Sequence, residues 1–365
     1  MTEAPRPTPF RRQQEALGAT FAPTAGWLLP SDYGDPVAED RSRRAAAAVV
    51  DRSAVGRIKV SGKDRLDFLQ RLSTQDLKAR LGPGHGAPTV FTTNKGRIVD
   101  LVTIYDLGET LLLLTSPSAR EALPAWIRRY VLRDQVSLTD VSAEGAAFRI
   151  AGPQAPDVLR AIGAGAAAGL DRHGIAGLDP AGVGTAVIVE AAGPWPSFLL
   201  VADLPGAVEL FAAAVEASRA VGGGPVGELV RTMGRIEDGI PEGGSELTEE
   251  FNPWEARLDE AISLSKGCYV GQEVVARLNT YDKVSRRLVG LRIGNAEPPA
   301  PGSKITVEGH ESGVLTSSVR SFSAGETIGL GYIRVAHEAP GTEVLVGIAE
   351  GESVPARVTA LPVAS

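Results

Sequence analysis

The chain has 365 residues, with 37 Lys and Arg against 44 Asp and Glu, a net charge of −7, 43% apolar content and one cysteine. That length suits about two or three domains, and the apolar content is that of an ordinary globular chain. The charge argues against a general nucleic-acid surface, no apolar run is long enough to span a membrane, and one cysteine excludes an internal disulfide or a thiolate-built metal site.

In chain order, the stretch from Met1 to about Arg44 has many prolines and polar residues, and its first part, Met1 to Leu17, has no apolar signal core. It reads as an extended, partly ordered arm, and a cytoplasmic protein is expected. Ile58 and Val60 alternate with Arg57 and Lys59, which predicts a half-buried strand with the charges outward. Lys63 to Ser73 follows as a helix with Leu66, Leu69 and Leu72 on one face. His85, His173, His310 and His337 are scattered, none at ligand spacing, so no metal site is expected.

Asn94-Lys95-Gly96 makes a turn into a strand from Arg97 to Asp106. In that strand Asp100 shares a face with Ile98, Val102 and Ile104. Buried there, the acid must be hydrogen-bonded, or have a raised pKa, or both; at the strand edge it would face solvent. Ser116-Pro117 predicts a helix start, running through Trp126 to about Leu132. Strands near 185–191 and 197–201 flank Pro194, Trp195 and Pro196, and an amphipathic helix covers Leu204 to Ala220.

Val226 to Ile236 predicts another helix, on which Arg231 and Arg235, four apart, share a face. That face is either solvated or set against a ligand. Trp254 is read as a core residue or as a platform for a flat ring. The segment Lys266-Gly267-Cys268-Tyr269-Val270-Gly271-Gln272-Glu273 carries the one cysteine between two glycines, ahead of a short helix that ends near Arg277. Cys268 is a small buried hydrophobe on one reading and a reactive thiol beside Lys266 on the other. From about Arg286 the texture becomes six short strands divided by Gly and Pro turns, which predicts a small antiparallel barrel.

The octapeptide with Cys268 resembles the signature of the YgfZ-type folate-binding proteins, which take part in iron–sulfur cluster assembly or repair. These belong to the superfamily of the glycine cleavage T-protein, an aminomethyltransferase that uses tetrahydrofolate. The resemblance covers about Val50 to Val363. It implies an α+β fold: an arm over 1–44, T-protein-like folate-binding domains over 45–284, and a C-terminal antiparallel β-barrel over 285–365. It also implies tetrahydrofolate, or a derivative, as cofactor.

Residue by residue, Asn94 and Asp100 match the turn and acid that T-proteins set at the folate ring, although Leu101 stands where they carry a second aspartate. Pro194 to Ser197 replace their glycine-rich acidic turn. Arg231 and Arg235 match an arginine pair of which one reaches the folate; with Lys266 and Arg277 they form the basic cluster an anionic ligand needs on an acidic chain. Cys268 and Asp100 are the implied catalytic residues, and Trp254 joins the implied ligand contacts. The expected partners are folate and iron–sulfur client or carrier proteins, with no nucleic acid or membrane, for a monomer. Two other readings stand beside this one: an aminomethyltransferase, with Asp100 managing a proton, and an interaction module that keeps the pocket as scaffold.

Overall fold

The computed structural model describes residues 4–180, 183–190, 193–280, 283–349 and 351–363. The chain divides into two compact units: 1–66, 80–87 and 103–231 form the first, and 67–79, 88–102 and 232–365 the second.

In the first unit a six-stranded sheet runs in the order 175–178, 185–189, 197–203, 145–151, 48–51 and 224–226. Its pairings are antiparallel except the last, where Gly224–Val226 lies parallel to Ala48–Asp51. Helices Ala155–Ala161 and Leu204–Ala220 cover it, and Val49, Phe148, Ile150, Leu200, Leu210 and Phe211 fill the core between. A second sheet is built on Gly56–Ser61, which pairs with Leu111–Thr115 on one side and Ser137–Asp140 on the other.

Three expectations for this unit change. The segment read as an arm is folded from Ala4 onward. It forms helix Arg11–Ala16, a hairpin of Thr20–Thr24 with Trp27–Asp32, and helix Pro36–Ala45. The anchor is Phe10, fully buried and stacked on Phe211 with ring centroids 4.4 Å apart. Arg57, expected outward, is 1% exposed; its guanidinium donates to the carbonyls of Val55, Ser142 and Gly145. The helix expected to reach Leu132 ends at Arg128, after which i to i+3 bonds from Arg129, Tyr130 and Val131 tighten the chain into a turn.

The second unit carries the barrel. Six antiparallel strands close in the order 286–294, 327–334, 310–320, 304–307, 343–349 and 352–359, as the turn spacing predicts. Val289, Leu291, Ile305, Leu315, Ile333 and Val346 fill its interior. A separate core of Ile98, Ile236, Phe251, Leu288, Leu330 and Tyr332 holds the segments that carry the candidate site. There Phe251 stacks on Tyr332, with centroids 3.6 Å apart and planes 13° from parallel.

Candidate functional site

The cysteine segment and the Asn94 turn lie in the second unit, where glycine geometry locks them together. Gly271 has φ +84°, and a Cβ there would stand 2.4 Å from Thr93 O and 2.7 Å from Thr92 Oγ1. A side chain at that position must push the turn away, so close backbone approach explains the glycine. Gly96, at φ +67°, packs tightly on the side chain of Val274 in helix Gln272–Thr280, with a built Cβ 3.1 Å away. Thr92 Oγ1 donates to Val270 O at 2.7 Å, and Gly96 N donates to Thr93 O at 2.8 Å to close the turn. Asn94 and Lys95 are left exposed at its tip.

Cys268 is a free, exposed thiol. It borders an open hollow of about 630 Å³, to which Gln70, Arg71, Asp76 and Lys78 contribute from one segment and Gly267 and Cys268 from the other. The reading of the cysteine as a buried hydrophobe therefore falls. Lys78 pairs with Asp67 at 2.5 Å, and Gln70 Nε2 donates to Asp76 Oδ1 at 3.0 Å.

Lys266, two residues away, points elsewhere. It is 7% exposed, and its Nζ donates to the main-chain oxygens of Gln70, Ser73 and Gln75 at 2.6, 2.6 and 2.7 Å. These are carbonyls at and just after the end of helix Arg65–Leu72, where last-turn oxygens lack intrahelical donors; that of Gln75 also accepts from Leu77 N at 3.0 Å. All three ammonium donors are thereby used. Burial pushes its pKa down to about 8, against the opposing charge of Asp76. The ring of Tyr269 lies 5.2 Å beneath the ammonium.

The expected arginine pair is also engaged. Arg235 is 8% exposed; Nη1 donates to Glu246 Oε2 at 2.8 Å, Nη2 to Ser317 Oγ at 2.6 Å, and Nε lies 3.2 Å from Glu242 Oε2. Arg231 Nε donates to both carboxylate oxygens of Glu228, at 2.9 and 2.8 Å. Arg231, Arg235 and Lys266 thus each have protein partners. Trp254 takes the core reading: it packs with Ile262, Tyr269 and Val275, and its Nε1 donates to Val275 O at 2.8 Å. Arg277 stays exposed at the end of its helix.

Asp100 sits where the alternation places it, 1% exposed on the buried face of strand Ile98–Asp106, and it has an interaction partner. Of the implied basic cluster, Arg277 is the exposed member. Among the described residues no group of three or more His, Cys, Asp or Glu is placed to hold a metal ion.

Two acids escaped the sequence reading. Glu246, 0% exposed, accepts from Arg235, Thr316, Ser317 and the amide of Glu242. Glu255, 2% exposed, accepts from the amide of Asn252 at 2.9 Å and lies 3.4 Å from Arg286 Nε. Both sit in irregular backbone, where no periodicity marks a residue as buried.

An α+β body followed by a closed antiparallel barrel is the T-protein fold. A solved structure of the glycine cleavage system aminomethyltransferase T from Bartonella henselae matches it with a TM-score of 0.87 at 24% identity, over 98% of each chain. Residues 10–266 match the GCVT N-terminal domain, and 286–364 match the glycine cleavage T-protein C-terminal barrel domain. The chain is 31% identical to the aminomethyltransferase of Saccharopolyspora erythraea over 98% of both chains. A chloroplastic Arabidopsis thaliana protein, whose name gives a transferase without a stated substrate, is 35% identical over 82% of this chain and 68% of its own. The chain belongs to the glycine cleavage T-protein family.

Proposed function

We propose that this is a tetrahydrofolate-binding protein of the YgfZ type, acting in the assembly or repair of iron–sulfur proteins. The observation that carries the reading is Cys268: the one thiol of the chain, exposed at the rim of an open hollow within the Lys266–Glu273 signature. A thiol kept for packing would be covered. Bound tetrahydrofolate would supply a one-carbon carrier. Asp100 would hydrogen-bond or hold a proton at its ring, Asn94 would stand beside it, and Arg277 would attract the anionic tail. Arg235 and Lys266 would support the site through the segments they tie down.

Calorimetric titration with tetrahydrofolate tests this. Saturable binding is expected, weakened about tenfold or more by Asp100→Asn, which removes a charge-assisted hydrogen bond. Cys268→Ala is expected to keep the affinity and to lose support of cluster-containing enzymes in cells. Normal cluster enzymes in that variant would refute a role for the thiol.

The names of the relatives favour a second reading, folate-dependent aminomethyl transfer. Leu101 and the Pro194–Ser197 turn, at positions where T-proteins carry acids, count against it. Folate-dependent ammonia release from an aminomethylated lipoyl carrier would establish transfer.

A further inference from the structure

We propose that Lys266 is a positioning residue: through the carbonyls of Gln70, Ser73 and Gln75 it fixes the wall of the hollow that Cys268 faces. One ammonium gathers three main-chain oxygens from the end of helix Arg65–Leu72 and the bend that follows it, at 2.6, 2.6 and 2.7 Å. Gln70, Arg71 and Asp76, interleaved with those oxygens, line the hollow, and Cys268 lies two residues beyond the lysine. One atom therefore ties three points of the wall opposite the thiol to the segment that carries it.

Other bonds join the same segments. Val270 N donates to Arg71 O at 3.1 Å, Thr74 Oγ1 to Ala261 O at 2.6 Å, and Gln75 Nε2 to Glu260 O at 2.7 Å. These preserve the fold without the lysine, but none draws Gln70, Ser73 and Gln75 toward one point. Lysine suits that task because its ammonium carries three donors and no acceptor on a flexible stem, whereas the planar fork of arginine cannot converge on one point. The functional weight of this inference rests on the reading of Cys268 as a working thiol; its geometry does not.

The experiment uses the absence of any other cysteine. Spin labels on Cys268 and on an Ala79→Cys replacement, across the hollow, report the distance distribution between the two segments. With Lys266 present the distribution is expected to be narrow. In Lys266→Met it should broaden by about twofold, once three hydrogen bonds to that wall are gone. In Lys266→Ala, methylammonium should narrow it again by supplying the missing ammonium to the three carbonyls. An unchanged distribution in a folded Lys266→Met overturns the proposal. So does a folded Lys266→Ala protein on which methylammonium has no effect. Neither outcome depends on folate binding or on cluster enzymes, so the clamp and the proposed function can fail separately.

Discussion

Lys266 and Arg235 are both buried cations of the second unit, and they are satisfied by opposite means. Arg235 meets two carboxylates and a hydroxyl, so its charge is cancelled where it lies. Lys266 meets three neutral carbonyls and, among the described residues, no carboxylate within hydrogen-bond reach. One is an ion-paired knot, the other a charge hydrogen-bonded only to main-chain dipoles, with Asp76 as an opposing charge farther off. The difference decides what each removal exposes: at Arg235 a buried acid without a counter-charge, at Lys266 only uncharged carbonyls.

The largest effect should come from breaking the knot. Arg235→Ala strands Glu246, which is 0% exposed, and is expected to cost about 3–5 kcal/mol of stability in denaturant titration. Adding Glu246→Gln should recover part of that loss; a double variant no better than the single would mean that packing, not charge, dominates. Lys266→Met should cost less, about 1–3 kcal/mol, since it leaves polar but uncharged groups unpaired. If the two losses prove equal, the distinction between knot and dipole clamp falls.

A separate effect is a slope with pH. Lys266 has a folded pKa of about 8 against an ordinary 10.5, so in that interval the unfolded chain keeps a proton that the folded chain has released. Stability should therefore rise with pH from about 8 to 10.5 through this group, and be flat with respect to it below 8. Lys266→Met should lack that contribution when unfolding is followed across the same range.

The barrel was legible because its strands are punctuated by Gly and Pro at short intervals, and that rhythm is local. Asp100 was legible for a similar reason, since two-residue alternation put it among aliphatics before any fold was known. The partners of Lys266 were not, because the three carbonyls belong to residues 191 to 196 positions earlier. Main-chain oxygens carry no residue signature, so no pattern of side chains could announce them. Arg57 misled for a related reason: alternation assigns a face, but main-chain acceptors make an arginine welcome inside. The first forty residues were obscured by composition, where one buried phenylalanine outweighs a run of proline and charge.

Gly271 and Cys268 stand three residues apart and would score alike in any screen of variants that reads only growth. Their demands differ in kind. The cysteine offers an atom to the surroundings, whereas the glycine withholds one, because the space beside it is already taken by Thr93 O. A map of intolerant positions drawn from such a screen would outline a site larger than the chemistry it contains, with part of its border set by room alone.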